Sequence, residues 1–353
     1  MLKICLTYDY ELFMGKNNAS AEEILFEPTE KIKSVMNEFG VKGVFFADVC
    51  SAIAHRKAGI SEFSDSFDSQ LQRLVSDGHD VQLHLHTSWY KAKKQDEELI
   101  ISEDGYRIHE FGFDVKAENS VQKIVSESVS YLNTVCKSVR DDYKCIAYRA
   151  GGFCVQPETE LLQILLNNGI IIDSSVVPRY CYLDGVNYSD FRKVPNKLNW
   201  YIAPEKGIST ESSCGIYEVP MATVKPRLLE CLVTSKNERS LPGTKPKGEY
   251  VKFKNQSDVK KKSKLKRKLE LLFNYRFISL DSRHYEAVIR DLEFIYKKYK
   301  LHKNDACICL ICHPKIADNA RVENIRALMS AVLKQSDKFE FTTMEKIAQD
   351  IKL

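Results

Sequence analysis

Two histidines, His84 and His86, lie two residues apart in the segment DVQLHLH at positions 80–86. Alternate side chains of a β-strand share one face, so both imidazoles point away from the apolar residues between them. Two imidazoles near the end of a strand are suited to binding a divalent metal ion. Two structural histidines would show the same spacing, and the pair alone leaves that alternative open.

Two carboxylates, Asp9 and Glu11, follow the apolar run 3–8 at the start of the chain. With a period of two they share a face, so both can reach one site. At such a shared site, Asp9 and Glu11 would supply carboxylates beside the imidazoles of His84 and His86. Taken by itself, this strand also fits two acids solvated in a loop.

Three further polar residues come directly after apolar runs. Arg149 lies in AYRAGGF, where Gly151 and Gly152 allow close approach of another group; Asp173 ends IIID, and His313 follows ICLIC. Together with the two segments above, five separate units carry a polar or ionisable residue just past a strand. Barrel enzymes build their active sites at this position.

The elements that must position these residues alternate between strand-like and helix-like patterns. Repeated β-then-α units predict a mostly parallel sheet, and about eight such strands favour a closed barrel over an open doubly wound sheet. Neither GxGxxG nor GxxxxGK[ST] occurs, which disfavours a nucleotide-binding fold. We expect a barrel formed by 1–224 and 281–353, interrupted by a basic insertion at 225–280.

The composition excludes several classes of protein. The chain has 353 residues, 44% apolar and 28% charged, which argues against wholesale disorder. No apolar run approaches the roughly 18 residues of a membrane span, and the first residues predict no secretory signal. Eleven scattered cysteines predict reduced thiols in a cytoplasmic protein. A net charge of +4 is too small to indicate nucleic acid binding.

Six segments resemble, in the same order, the motifs of the polysaccharide deacetylase family, the NodB-type carbohydrate esterases. The resemblance is strongest to a cytoplasmic branch associated with surface-polysaccharide biosynthesis, and it runs from about residue 2 to 348 outside the insertion. The segments are TYDYE (resembling TFDDG or SFDxD), GHDVQLHLH (resembling GHEIGxH), YRAGGF, IIIDSSVVP, LICHP and FTTMEKIA. The resemblance implies a distorted (β/α) barrel of about seven to eight parallel strands.

The resemblance also implies catalytic roles. Asp9 matches the general base, Arg149 the residue that orients this base, and His313 the general acid. His84 matches the first metal histidine. Asp173 would modulate the pKa of the general acid.

The chain departs from the family pattern at two positions. Tyr10 stands where the family usually has a second aspartate, so Glu11 becomes the expected metal carboxylate. Ser88 stands where the family usually has its second metal histidine, so His86 becomes the substitute. The resemblance therefore implies a divalent metal, with zinc the expected ion, held by Glu11, His84 and His86.

The expected activity is metal-dependent removal of an N-acetyl or other N-acyl group from an amino sugar in a glycan precursor. Trp89 and Tyr90, just past the histidine strand, are predicted to stack on the sugar, with Gly151 and Gly152 also near the substrate; plain packing of the two aromatics is the alternative. One rival activity is a deformylase or amide hydrolase acting on a lipid- or nucleotide-linked sugar. The other is a barrel that binds sugar without catalysis.

The segment Lys252–Lys268 carries nine basic residues against a single acid, Asp258. A saccharide substrate carried on phosphate or lipid would suit this charge, and so would an anionic membrane face. A solvated surface helix is the alternative. No basic motif interleaved with aromatics supports nucleic acid.

Overall fold

The computed structural model describes residues 1–95, 98–183, 187–225, 235, 237–250 and 275–351. The predicted basic segment Lys252–Lys268 lies outside the described residues. In the described part of the chain, no helix combines the length and apolar character needed to cross a membrane, and all cysteines there are free thiols.

The described strands, in chain order, are β1 (Leu2–Tyr10), β2 (Val44–Asp48), β3 (Asp80–Leu85), β4 (Lys93–Gln95), β5 (Glu98–Ile100), β6 (Ala147–Ala150), β7 (Ile172–Asp173), β8 (Cys181–Leu183), β9 (Tyr188–Asp190), β10 (Trp200–Ile202), β11 (Ile216–Glu218), β12 (Thr223–Val224), β13 (Arg276–Phe277), β14 (Ala306–Cys312) and β15 (Phe339–Phe341). The described α-helices are α1 (Glu27–Glu38), α2 (Val49–Lys57), α3 (Ser61–Ser76), α4 (Val121–Lys137), α5 (Thr159–Asn167), α6 (Tyr285–Lys298), α7 (Asn319–Leu333) and α8 (Met344–Asp350).

The strands of the main sheet are buried on both faces, which is why they read as nearly continuous apolar runs. All seven residues of β14, ACICLIC, are buried, as are the five of β2. The helices cover the outside with one apolar stripe each. For α4, the side chain of Ser120 accepts a hydrogen bond from the backbone N–H of Lys123 and so fixes where the helix begins.

The main sheet has the strand order β10-β11-β7-β6-β3-β2-β1-β14, with β15 beside the first residues of β1. All neighbouring pairs from β11 to β14 are parallel, and β10 pairs antiparallel with β11. The sheet closes on itself just after β11, where the N–H of Ala222 donates to Cys309 O at 2.9 Å and the N–H of Cys309 donates to Pro220 O at 3.0 Å. The predicted distorted barrel of parallel strands is confirmed.

The residues just before 281, which the sequence analysis assigned to the insertion, contact the barrel wall. Ser279 forms a parallel bridge with Ile311 of β14, and the N–H of Leu280 donates to Ile311 O at 2.8 Å. The segment therefore runs beside β14 on the side opposite β1. The division into a barrel and an insertion at 225–280 otherwise stays a prediction.

Candidate active site

A cavity of about 170 Å³ lies where the carboxyl ends of the parallel strands meet. Its polar lining includes residues predicted from the sequence: Asp9, Glu11, His84, His86 and His313. Its walls are largely apolar and aromatic: Met14, Ile101, Tyr106, Phe153 and Tyr250. Active-site residues of a barrel lie at the carboxyl ends of its strands, and this position brings the polar groups of β1, β3 and β14 to one place.

Glu11, His84 and His86 form a cluster of buried donor atoms that lie within 4.8 Å of one another. Oε2 of Glu11 lies 3.1 Å from Nε2 of His84 and 2.5 Å from Nε2 of His86. Burial raises the pKa of the Glu11 carboxyl, but Lys315, His86 and His84 together hold that pKa well below its usual value. Glu11 is therefore a carboxylate.

Hydrogen bonds hold the two histidines in place. Nδ1 of His84 lies 2.8 Å from the carbonyl oxygen of Arg149, which can only accept, so Nδ1 carries a proton and Nε2 is the nitrogen that faces Glu11. The backbone N–H of His86 donates to Oδ1 of Asp48 at 3.1 Å. Burial lowers the pKa of His84, but Asp9 and Glu11 raise it to about 9, so a proton and a metal ion compete for Nε2.

Asp9 and Arg149 form a buried ion pair beside this cluster. Nη1 of Arg149 donates to Oδ1 of Asp9 at 2.5 Å and to the hydroxyl of Thr7 at 3.0 Å. The guanidinium lies over the ring of Phe46, 4.1 Å from the centroid, and its Nη2 donates to Oγ of Ser174 at 3.0 Å. The other oxygen of Asp9 faces the cavity, 3.8 Å from Nε2 of His84.

His313 faces the same space from β14. Its Nε2 lies 3.7 Å from both Oδ2 of Asp9 and Oε1 of Glu11. Its Nδ1 lies 2.7 Å from Oδ2 of Asp281, and its backbone N–H donates to Oδ1 of Asp281 at 2.9 Å. Burial lowers the pKa of His313, but Asp281 and Asp9 raise it above its ordinary value.

No model of a protein family matches the chain, and no curated protein matches it. Several solved structures are similar to it. Puue allantoinase is 11% identical over 99% of this chain and 88% of its own, with a TM-score of 0.47. A protein named probable polysaccharide deacetylase from Pseudomonas aeruginosa is 13% identical over 99% of this chain and 89% of its own, with a TM-score of 0.44.

The catalytic domain of a peptidoglycan N-acetylglucosamine deacetylase from Eubacterium rectale is 10% identical over 97% of this chain and 89% of its own, with a TM-score of 0.38. Identities and TM-scores this low carry no argument about activity. The function of this chain must be inferred from its own residues.

The structure does not place Asp173 against His313. Asp173 accepts a hydrogen bond from the hydroxyl of Ser175 at 2.6 Å and pairs in register with Glu218 of β11. Burial raises the pKa of both Asp173 and Glu218, and their mutual repulsion raises that of Glu218 further. The expected role of Asp173 is corrected: the carboxylate in contact with His313 is Asp281.

The predicted sugar-stacking wall is also corrected. Trp89 is 2% exposed, and its indole N–H donates to Oδ2 of Asp48 at 2.8 Å, so it packs inside the protein. Tyr90 donates to Glu127 at 2.7 Å. Neither lines the cavity with the histidines. Thr87–Lys91 form a 3₁₀ turn, which directs both side chains away from the line of β3.

The two predicted glycines lie beside the cluster. A Cβ on Gly151 would lie 2.5 Å from Leu85 O and 2.8 Å from Nδ1 of His86, so only glycine lets β6 approach β3 this closely. Gly152 lines the cavity at φ +58°, and a Cβ there would lie 2.7 Å from the hydroxyl of Tyr106. Gly151 thus supports His86, and Gly152 forms part of the wall.

Sequence reasoning missed several residues of the site. Asp48 ends the buried strand β2, the same signal that identified Asp9 and His313, so that signal could have found it. Asp281 carries a weaker signal, because only Ile278 and Leu280 of the residues just before it are buried. The sequence does not mark Lys315 as a buried site residue. A lysine is almost never buried unless it is paired, and its partner, Glu11, is far away in the sequence.

The donor set fits a divalent cation. Two imidazole nitrogens and one carboxylate oxygen, with room for water on the cavity side, is the usual set of a catalytic zinc site. All three side chains are buried and share one concave surface. Nε2 of His86, 2.5 Å from Oε2 of Glu11, is the nitrogen directed at the cluster.

Proposed function

We propose that this chain is a metal-dependent hydrolase that removes an N-acetyl group from an amino sugar of a saccharide. One observation carries the proposal: a carboxylate held by an arginine, a Glu-His-His cluster and a histidine held by a carboxylate all face one cavity. Amide hydrolysis needs a proton acceptor for water, stabilisation of the oxyanion and a proton donor for the amine. Asp9, the cluster of Glu11, His84 and His86, and His313 would meet these three needs in that order.

Glu11, His84 and His86 would hold the divalent ion, with zinc the expected metal. The chemistry that such an ion supplies when bound is Lewis-acid polarisation of the acyl oxygen and of a water molecule.

Asp9 takes the proton from the attacking water. Oδ1 of its carboxylate is occupied by Arg149, so Oδ2, which faces the cavity, is the oxygen available to accept the proton. Arg149 is itself fully buried and held by Ser174 and Thr7, so it fixes the direction of that oxygen. A general base works only if it lies within hydrogen-bond reach of the proton it removes.

His313 gives a proton to the leaving amine. Asp281 holds its Nδ1, which directs Nε2 into the cavity and stabilises the imidazolium. The raised pKa of His313 favours the imidazolium form, which is the form that a general acid requires.

The saccharide is proposed as the substrate because of the six motifs and the walls of the cavity. Tyr106, Phe153 and Tyr250 supply aromatic surface beside the polar groups, and aromatic rings offer the broad apolar faces against which sugar rings pack. These three residues replace Trp89 and Tyr90 as the proposed sugar contacts.

The test begins with metal content and then measures acetate release from N-acetylated sugars. The double variant His84→Ala/His86→Ala should lose metal, by roughly tenfold or more in affinity. His313→Ala should keep metal but lose roughly 10²–10⁴-fold in rate. His302→Ala, an exposed histidine, is the matched control and should change neither quantity. Full metal occupancy in the double variant, or an unchanged rate in His313→Ala, would contradict the assignment.

We propose in addition that the substrate is carried on phosphate or lipid and that Lys252–Lys268 contacts this anionic carrier in the cytoplasm. Each lysine near an anionic bilayer contributes about 1 kcal/mol, which salt screens. Deletion of 252–268 should weaken sedimentation with anionic vesicles at low salt and leave turnover of a neutral sugar unchanged. Equal sedimentation with and without the segment would rule out this role.

A further inference from the structure

Lys315 is a buried lysine at the edge of the candidate active site. Its side chain is 1% exposed, and its ammonium lies 2.6 Å from Oε1 of Glu11 and donates to the carbonyl of Leu12 at 3.3 Å. The rings of Phe13 and Tyr250 have their centroids 5.3 and 4.9 Å from Nζ. Because a lysine is almost never fully buried unless it is paired, Glu11 is the group that holds it there.

The two oxygens of the Glu11 carboxylate have different partners. Oε2 faces Nε2 of His84 and Nε2 of His86, whereas Oε1 is bound by the ammonium of Lys315. A charge-assisted hydrogen bond of this kind is roughly twice as strong as a neutral one. While it is formed, Oε1 stays turned away from His84 and His86.

We propose that Lys315 is a positioning residue that makes Glu11 present one oxygen, Oε2, to a divalent cation held with His84 and His86. The proposal rests on the metal site of the proposed function and adds to it how the carboxylate is held.

The consequence concerns which ion the site prefers. A carboxylate that offers one oxygen suits the low coordination number of zinc, which takes few ligands in tetrahedral geometry. A carboxylate that can offer both oxygens suits ions that accept more oxygen ligands, such as manganese. Lys315 therefore favours zinc over manganese.

The experiment measures the Kd of Zn²⁺ and of Mn²⁺ for the full chain by competition with a chromophoric chelator. Lys315→Met removes a positive charge, which strengthens the attraction of either dication by a similar amount. The ratio of the two Kd values therefore reports geometry rather than charge. We expect Lys315→Met to reduce the preference for zinc by about tenfold or more, the range typical of losing a partner of a metal ligand.

Two further variants make the comparison specific. Lys315→Arg keeps a cation and a donor for Oε1, so it should restore most of the preference for zinc. Lys33→Met is the matched control, because Lys33 is also largely buried, 13% exposed, in ion pairs with Glu30 and Asp77 away from the cavity. It should leave the ratio unchanged. A wild-type ratio in Lys315→Met would mean that Lys315 only stabilises the fold, and the proposal would be wrong.

A second measurement needs no variant, since Lys315→Met leaves Glu11 buried without its ammonium and that protein could fail to fold. In a crystal structure of the zinc-loaded wild-type chain, Glu11 should bind through Oε2 alone, with Oε1 still on Lys315. A Glu11 that binds through both oxygens would overturn the proposal while leaving the metal site standing. A wild-type chain that binds neither ion would instead refute the metal site and this proposal together.

Discussion

Replacing Asp281 by Asn tests whether this carboxylate controls the charge of His313. The change keeps the size of the side chain and an acceptor for the backbone N–H of His313, but it removes the negative charge 2.7 Å from Nδ1. The side chains are 13% and 22% exposed, so solvent screens the pair only in part. A hydrogen bond to a charged group is worth about 1.5–3 kcal/mol and a neutral one about 0.5–1.5 kcal/mol. The difference, about 1–1.5 kcal/mol, corresponds to roughly one pKa unit.

The sign of the effect on stability follows from the direction of the shift. The pKa of His313 is raised in the folded protein, so its contribution to stability is fully present below the pKa of the unfolded chain, near 6.5. That contribution is lost as the pH rises through the folded value. Asp281→Asn should therefore cost about 1–1.5 kcal/mol more of the free energy of unfolding at about pH 5 than at about pH 9.

The assays are urea denaturation at both pH values and NMR titration of the His313 imidazole. The control is Asp142→Asn, whose side chain is 90% exposed and should change neither measurement. If the pKa of His313 is the same in Asp281→Asn and the wild type, or if the loss of stability does not depend on pH, Asp281 does not control the charge of His313.

Two other substitutions test the supports of the site. Arg149→Met should lower the free energy of unfolding by about 3–5 kcal/mol, because it leaves Asp9 buried without its partner. Urea denaturation should show part of this loss restored in the double variant Arg149→Met/Asp9→Asn. A loss below about 1 kcal/mol in the single variant would contradict the buried pair. Gly151→Ala should displace His86 and destabilise the protein by about 1–3 kcal/mol. Zinc binding, measured by competition with a chelator, should weaken as well. A wild-type zinc affinity would show that zinc binding does not need the close approach of β6 to β3.

The sequence predicts the parallel barrel and most of its polar rim because both depend on local patterns. Strands buried on two faces are apolar throughout, and the residue after each one must emerge at the carboxyl end of the sheet. In the structure His313 directly follows β14, whereas Asp9 and His84 are the next-to-last residues of β1 and β3 and reach the same edge of the sheet. Asp48, the last residue of β2, lies at the same edge of the sheet.

Side-chain direction after a strand is harder to predict. Trp89 comes three residues after His86, and the 3₁₀ turn between them rotates it into the interior, where Asp48 accepts its N–H. The alternation of side chains along a strand ends with the strand, so it does not predict the direction of an aromatic side chain in the turn that follows. Lys315 lies in the same kind of turn after β14, and Glu11, far away in sequence, accounts for its burial.

The partner of His313 depends on strand order, which no local pattern contains. His313 directly follows β14, which has β1 on one side and residues 220–222 and 279–280 on the other. Asp281 directly follows residues 279–280 and so reaches Nδ1. Asp173 ends β7, between β6 and β11, where Glu218 is its neighbour in register. Asp173 ends a strand and Asp281 follows a segment that pairs with β14, so the order of these segments around the barrel decides which aspartate can hold the proposed general acid.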